Sequence, residues 1–209
     1  MAIVAADETA WAPTTRRRVL DTAIELFSQY SFAGTSLQMI ADELGLTKAA
    51  IYYHFRTREQ LLLALMNPIF TEIAEVVEAA ERRRGTRARC DAMLTGYAGV
   101  VAAHRTLAAV TTFDPGVRDV LRSQPEWSAV IDRQLALLSG PDSVPASINA
   151  AVVLTGLAGG AATAPSQVDY ETLRTQLIEA GRRILGLPSV SAATAGAGTS
   201  RSRRLPPPR

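Results

Sequence analysis

A lysine, an alanine and two tyrosines fall within six residues of one another, namely Lys48, Ala49, Tyr52 and Tyr53. In a helix they share one face, because residues three and four apart are neighbours there. An ammonium group, a methyl group and two phenol rings suit contacts with phosphate oxygens and with base edges. Ile51 and Phe55, four apart, give the same helix a second, apolar side. The pattern predicts a helix that packs through one side and binds duplex DNA through the other.

This helix needs a neighbour that fixes its position, and the preceding residues predict one. Apolar residues recur there at helical spacing, namely Leu37, Ile40, Ala41 and Leu44. Gly45 suits the tight turn that follows, and the Thr47 hydroxyl is placed to cap the next helix. Residues 36–55 are therefore predicted to form a helix-turn-helix.

This segment, together with the helix before it, resembles the N-terminal DNA-binding domain of TetR-family transcriptional regulators. The resemblance covers residues 14–66, about a quarter of the chain. It rests on residue types in the family's order, namely Thr15-Arg16-Arg17-Arg18-Val19-Leu20-Asp21-Thr22-Ala23, Leu26-Phe27, Gly34-Thr35-Ser36, Ile40-Ala41, Gly45-Leu46-Thr47, Ile51-Tyr52-Tyr53-His54-Phe55 and Glu59-Gln60-Leu61-Leu62. The rest of the chain resembles the family only in its helical character.

The resemblance implies DNA contacts by residues that precede the recognition helix in the sequence and by residues at or after its end. At the start of the second helix the hydroxyl of Thr35 or Ser36 would bind a phosphate, and Gln38 would face the groove. Arg58, at the start of the fourth helix, would add a charge-assisted bond to phosphate. His54 would also donate to phosphate, with a hydrogen bond to a helix-end carbonyl as the alternative.

The recognition helix itself carries the remaining implied DNA-binding residues. Thr47 begins this helix, Lys48 would reach a guanine edge or a phosphate, and Ala49 would meet a thymine methyl group. The hydroxyls of Tyr52 and Tyr53 would bind phosphate while their rings lie against sugar or base. The alternative for both tyrosines is packing at the edge of a three-helix core.

Helical spacing of apolar residues along the chain predicts an all-α fold: an N-terminal three-helix helix-turn-helix domain followed by a larger helical ligand-binding and dimerisation domain. The fourth helix is predicted from Arg58 to about Arg83, with a kink or break near Asn67 because Pro68 removes a backbone donor. The predicted divisions are a disordered arm at 1–13, the DNA-binding domain at 14–60, the effector-binding and dimerisation domain at 61–187, and a disordered tail at 188–209.

The inner faces of the second domain predict an apolar cavity for a small effector molecule. The candidate lining residues are Met93, Tyr97, Val101, His104, Phe113, Trp127 and Ile131. Tyr97 and His104, seven apart and so near one helix face, are the candidate polar anchors. Ordinary core packing of both side chains is the alternative.

The last two long helices, residues 145–162 and 170–185, are predicted to pair with those of a second chain in a four-helix bundle. Small residues there permit close approach of backbones, namely Gly156, Ala158, Gly159, Ala161 and Ala162. The alternative is a core within one chain. Residues 143–168 carry no charge, but their small and polar members and the flanking Pro145 and Pro165 argue against a membrane span.

Composition argues against catalysis. The sequence has no Gly-rich phosphate loop, no Gly-x-Ser-x-Gly elbow and no Cys-His couple. Its two histidines, His54 and His104, fall in different predicted domains, so we expect no metal site, no cofactor and no enzyme. The net charge is only +2, so DNA affinity must come from local placement of charge. The single cysteine, Cys90, excludes an intramolecular disulfide and is compatible with a cytoplasmic location.

The resemblance implies a homodimeric repressor that a small, largely apolar molecule releases from a palindromic operator. Two alternatives stay open at this point. One is a helix-turn-helix DNA-binding protein without small-molecule control. The other is a helical small-molecule-binding protein that retains a vestigial DNA-reading head.

Overall fold

A computed structural model describes residues 13–140 and 143–188, and all regular structure in these ranges is helical, which confirms the all-α prediction. The predicted arm at 1–13 and tail at 188–209 lie outside the described residues, except for Pro13 and Pro188. The helices are α1 (Pro13–Gly34), α2 (Leu37–Leu44), α3 (Lys48–His54), α4 (Arg58–Glu81), α5 (Thr86–Ala103), α6 (Arg105–Phe113), α7 (Pro115–Arg122), α8 (Pro125–Ser139), α9 (Val144–Thr163) and α10 (Tyr170–Ile184).

Helices α1, α2 and α3 form a small unit with the first turns of α4, called the reading head below. Its core is built from the residues that the helical spacing places inward, namely Val19, Phe27, Ile40, Ile51 and Leu61, each at most 2% exposed. Each of the short connections ends in a side chain that caps the next helix: Ser36 accepts from the Met39 amide, Thr47 from the Ala50 amide and Thr57 from the Gln60 amide. These caps fix where each helix begins.

The fourth helix runs unbroken through Pro68, so of the two predicted alternatives near Asn67 the break is wrong and the kink stays a prediction. Proline cannot donate to the carbonyl of Ala64, but it is exposed at this point of the helix. Its neighbours Leu65, Met66 and Ile69 are all buried. Burial of apolar side chains on both sides of the missing hydrogen bond therefore holds the helix together.

The first helix contains a kink that the sequence pattern did not predict. Ser31 has φ 66° and ψ 165°, which interrupts the helical backbone three residues before Gly34. Glycine is the usual helix terminator, and Gly34 is the last residue of α1. Here the chain turns earlier, at a serine.

The remaining helices form a second core, called the sensor domain below. Helix α5 lies at its centre and packs against α4, α8, α9 and α10. Its buried side chains include Val77, Met93, Leu94, Val153 and Leu177. Helix α9 faces this core with Ala150, Val153, Leu157 and Ala161, while its opposite face stays exposed in the single chain.

Two helices in the described part of the chain, α4 and α9, are long and apolar enough to cross a bilayer by length and composition. Core helices of globular proteins pass the same test. Helix α4 packs against α1, α5 and α8, and α9 packs against α6, α8 and α10. Both helices therefore have protein neighbours that account for their apolar inner sides.

Candidate DNA interface and inner cavity

Helix α3 separates its residues into a buried side and an exposed side. Ile51 is fully buried and Phe55 is 4% exposed, which confirms the predicted packing side. On the opposite side Tyr53 is 84% exposed and Tyr52 is 41% exposed, with Lys48 and Ala49 also exposed. We call the set Lys48, Ala49, Tyr52 and Tyr53 the recognition face. Its DNA contacts stay a prediction.

The recognition face is ordered by contacts among its own side chains. The Lys48 ammonium nitrogen lies 5.3 Å from the centroid of the Tyr52 ring, within reach of a cation–π attraction. The ring of Tyr53 meets that of His54 edge to face, with centroids 4.9 Å apart. Each tyrosine ring therefore has a neighbouring side chain in contact with it, and the Lys48 ammonium group lies beside the Tyr52 ring. This arrangement suits a polyanionic surface.

Two residues of α2 flank this face. Ser36 is exposed, although its hydroxyl already accepts from the Met39 amide at 3.1 Å as a helix cap. Gln38 is half-buried and donates through its amide to Asp42 at 2.7 Å. A serine hydroxyl that accepts one hydrogen bond can still donate its proton to a phosphate. The Gln38 amide nitrogen likewise keeps a second proton, which it can donate to DNA.

Thr35 lies in the interior of the domain, against the prediction that its hydroxyl binds phosphate. It is 1% exposed and donates to the backbone carbonyls of Leu26 at 3.1 Å and Ser31 at 2.8 Å. The sequence placed a hydroxyl residue at this position but did not show which way it points. Of the two alternatives, only Ser36 remains available to DNA.

Arg58 is likewise committed to the protein rather than to phosphate. Its Nη1 atom donates to the carbonyls of Phe32, Ala33 and Thr35 at 2.8–3.1 Å. Its guanidinium carbon also lies 5.1 Å from the Phe32 ring centroid. The role of Arg58 is to hold the segment between α1 and α2 against α4, and this corrects the predicted phosphate contact.

A small cavity of about 70 Å³ lies between α4, α5, α6 and α9. Three of the seven predicted effector residues line it, namely Tyr97, Val101 and His104. Its apolar lining includes Met66 and Ile73 from α4 and Leu107 from α6. Ligand sites for drug-sized molecules are several times larger. In this conformation the cavity is therefore too small for such a molecule.

The other four predicted effector residues lie elsewhere. Met93 is fully buried in the sensor core, and Trp127 is buried with its ring stacked on Phe70 at 4.5 Å between centroids. Phe113 is 61% exposed and lines a separate groove beside α1, and Ile131 is 38% exposed on α8. Helical spacing gives the face of a residue but not the neighbour that covers it, which is why these four predictions are wrong for this cavity.

Both predicted polar anchors already have partners. The buried Tyr97 hydroxyl donates to the carbonyl of Leu154 on α9 at 3.1 Å, and burial raises the pKa of Tyr97 to about 12. The His104 Nε2 atom lies 3.0 Å and 3.1 Å from the two carboxylate oxygens of Glu72 on α4. Glu72 was missed by the sequence analysis. Its signal was an acid at helical spacing from Leu65 and Ile69, which are both buried.

Comparison with known proteins finds its sequence matches mainly in the reading head. Residues 19–65 match the sequence model described as bacterial regulatory proteins, tetR family. The chain is 45% identical over 49 residues to the uncharacterised HTH-type transcriptional regulator YerO of Bacillus subtilis, covering 23% of this chain and 17% of YerO. It is 28% identical over 108 residues to the HTH-type transcriptional repressor KstR2 of Rhodococcus jostii, covering 49% and 52%. The chain thus spans about half or less of the length of these relatives.

Solved structures resemble the chain over most of its length. The ketosteroid transcriptional regulator KstR2 of Mycobacterium tuberculosis superposes with a TM-score of 0.65 at 15% identity, over 84% of this chain and 95% of that one. The fatty acid degradation regulator FadR of Bacillus halodurans gives 0.60 at 14% identity, over 85% and 97%. At such identities the likeness shows a shared fold alone.

Proposed function

We propose that this chain, whose residues 19–65 match the tetR family of bacterial regulatory proteins, is a ligand-responsive transcriptional repressor that binds a palindromic DNA operator as a homodimer. The observation that carries this proposal is the recognition face. It projects from a helix whose other side is fully buried at Ile51, within the residues that match the family. A face built in this way is rigid and open to a large anionic partner.

The contacts with DNA follow from the positions on α3. Lys48 is the first residue of the helix, where an ammonium group reaches a guanine edge or a phosphate at the floor of the major groove. Ala49 beside it is small enough to meet a thymine methyl group. Tyr52 and Tyr53 lie one turn further on and donate to phosphates. Ser36, at the start of α2, donates to a phosphate on the flank.

The homodimer is proposed to form through α9 and α10. Val144, Ile148 and Val152 recur along the outer face of α9 and are 75%, 57% and 46% exposed in the single chain. A row of exposed apolar side chains of this length is costly in water and marks an interaction surface. A two-fold dimer places two copies of α3 on one side of a duplex, as a palindromic site requires.

Control by a small, largely apolar molecule is proposed to act through the inner cavity. The cavity is lined mainly by apolar side chains, with Tyr97 and His104 as its polar groups. Since it holds only about 70 Å³, a ligand must displace the surrounding helices on entry. That displacement would favour a conformation in which the reading heads no longer match the operator.

Selection of bound fragments from a pool of random duplexes tests the proposed function. We expect enrichment of one palindromic sequence, bound roughly a thousandfold more tightly than unrelated DNA. Similar affinity for all duplexes would favour a DNA-coating protein, and failure to retard any duplex would favour a small-molecule-binding protein with a vestigial reading head. Compounds can then be screened for release of the selected duplex.

The cavity assignment has its own test. Once a releasing compound is in hand, the double variant Y97A/H104A should raise the concentration needed for release. The matched control is I131A, which removes a side chain outside the cavity on α8. If the double variant releases DNA at the same compound concentration as wild type, the effector does not use this cavity.

A further inference from the structure

The kink in α1 is held in a conformation that serine rarely adopts. Among residues 13–140 and 143–188, Ser31 is the one non-glycine residue with positive φ, at φ 66° and ψ 165°. At these φ and ψ angles a Cβ atom collides with the backbone, so that glycine is almost the only residue that adopts them. A strained residue persists only where surrounding contacts hold it.

One group of contacts comes from the reading head itself. The Thr35 hydroxyl donates to the Ser31 carbonyl at 2.8 Å, and the Gly34 amide donates to the Ser31 hydroxyl oxygen at 3.2 Å. Arg58 donates to the carbonyls of the following residues, beginning with Phe32. These bonds fix the turn after the kink, and they stay within the reading head.

A further contact comes from the sensor domain. The Phe32 amide donates to the Oδ2 atom of Asp114 at 2.6 Å, across 82 residues of sequence. In an uninterrupted helix this amide would donate to the Ser28 carbonyl, so the kink removes a bond that Asp114 restores. The other oxygen of Asp114 accepts from Gly116 at 2.9 Å and caps α7. One carboxylate therefore joins the kink in the reading head to the start of a sensor helix.

The kink determines where α2 begins. Phe32 is 4% exposed, and its ring meets that of Phe27 edge to face at 5.3 Å between centroids. Thr35, whose hydroxyl is bonded to Ser31, directly precedes the Ser36 cap of α2. Only four residues separate Ser31 from that cap, so a change of backbone at Ser31 displaces α2 and the recognition helix packed on it.

Asp114 is also connected to the inner cavity through α6. This helix runs from Arg105 to Phe113, directly before Asp114. Its residues Leu107, Ala108 and Thr111 line the cavity wall. A molecule that enlarges the cavity presses on α6 as one of its four walls, and a shift of this helix carries Asp114 with it. Helix α6 thus lines the cavity along its side, and the Asp114 carboxylate follows directly after its last residue.

We infer that Asp114 is a positioning residue for DNA binding: its bond to the Phe32 amide holds the strained Ser31 kink, and with it α2 and α3, in the DNA-reading arrangement. Withdrawal of Asp114 with α6 releases the kink and lowers operator affinity. This inference rests on the proposed function, and it assigns the link between the two domains to α6 and Asp114 rather than to a hinge at Pro68.

The experiment uses full-length variants D114A, S31G and D114A/S31G, with the duplex selected by the wild-type protein as the probe. We expect D114A to weaken binding about tenfold or more, since Ser31 then relaxes out of its strained conformation. We expect D114A/S31G to regain most of the affinity, since glycine adopts φ 66° without strain. S31G alone should bind at least as tightly as wild type. Hydrogen exchange at the Phe32 amide should be faster in D114A.

A matched control separates positioning from simple helix capping. Asp169 caps α10 by accepting from the Thr172 amide at 2.9 Å, as Asp114 caps α7, but α10 packs on α5 and α9, whereas α7 packs on α1. D169A should lower the unfolding temperature and leave operator affinity unchanged. In D114A/S31G the affinity should return while the loss of the α7 cap still lowers the unfolding temperature. A purely structural role of Asp114 does not produce that separation.

Each outcome is decisive. Unchanged affinity in D114A, or no recovery in D114A/S31G under conditions where both variants are folded, overturns the inference. If D114A does not fold, S31G alone decides, because binding weaker than wild type would mean that the kink is not the DNA-reading conformation. If the wild-type protein selects no duplex at all, the proposed function fails first, and the two failures are thereby distinguished.

Discussion

The reading head and the sensor domain use their residues in opposite ways. In the reading head the residues proposed to act point outward, from a helix whose register is fixed by the buried Ile51 and by the Thr47 cap. In the sensor domain the residues that line the cavity point inward and already have partners, such as Tyr97 with Leu154 and His104 with Glu72. An outward face is determined by one helix, whereas an inward cavity is determined by four.

This difference explains why residue types and their spacing predicted the exposed side of α3 but not the lining of the cavity. Substitutions on the recognition face should change DNA binding and leave stability nearly intact. Substitutions in the sensor domain should change stability or assembly and reach DNA binding only indirectly. The following variants test that division.

Among variants of the sensor domain, the largest expected effect comes from the outer face of α9. Placing two carboxylates there, in I148E/V152E, should convert the proposed dimer to monomer, because charged groups are not buried unpaired. Loss of two-site attachment should weaken operator binding about a hundredfold or more. Analytical ultracentrifugation and duplex titration measure the two effects. The control I131E places one carboxylate on an exposed apolar position of α8, and equal behaviour of both variants would remove α9 from the interface.

The next effect is on packing inside the sensor domain. A methyl group at Gly96 would lie 2.4 Å from a Val76 methyl carbon, so G96A forces α4 and α5 apart. We expect a loss of about 2 kcal/mol in the free energy of unfolding. In the control G99A the nearest atom is 3.5 Å away, an ordinary contact, and stability should stay level or rise. Denaturant titration distinguishes them, and equal losses would contradict the packing account.

A smaller effect is expected from the hydrogen bond between α5 and α9. In Y97F the Leu154 carbonyl loses the phenol donor, with an expected cost of about 1 kcal/mol in unfolding free energy. Affinity for the selected duplex in the absence of effector should stay within about twofold of wild type, because Tyr97 is distant from the recognition face and effects at distant sites add independently. A large loss of affinity in Y97F would contradict the division of roles between the reading head and the sensor domain.

The smallest effect concerns alkaline pH. Burial raises the pKa of Tyr97 to about 12, whereas an unfolded chain releases this proton near pH 10. The unfolded state therefore loses the proton first, so stability is intact below about pH 10 and falls as pH rises toward 12. Spectrophotometric titration of the folded protein should show one late tyrosine step that Y97F lacks. An unchanged titration curve in Y97F would contradict the assignment.

The sequence predicted the elements well where local chemistry decides them. The caps at Thr47 and Thr57, the turn at Gly45 and the buried Ile51 all follow from neighbours within a few residues. Local chemistry was not enough for Pro68, because burial on both sides of the proline outweighs one missing hydrogen bond.

The errors in the candidate sites have one physical cause. Thr35 and Arg58 were assigned to phosphate by their place in the motif, but both are used to fix the turn around the Ser31 kink. Phe113 and Ile131 were assigned to the cavity by helical spacing, but no helix covers them in the single chain. Which neighbour a side chain contacts depends on tertiary packing. The spacing of apolar residues along the sequence carries no information about that neighbour.

The recognition face is the claim on which the other conclusions depend, and alanine substitution tests it most directly. The triple variant K48A/Y52A/Y53A should keep its unfolding temperature and assembly state, since these side chains are outside the core. Its affinity for the selected duplex, measured by fluorescence anisotropy, should fall to that for random DNA, while Y30A, an exposed tyrosine of α1, should bind like wild type. Undiminished preference for the selected duplex in the triple variant would contradict the account.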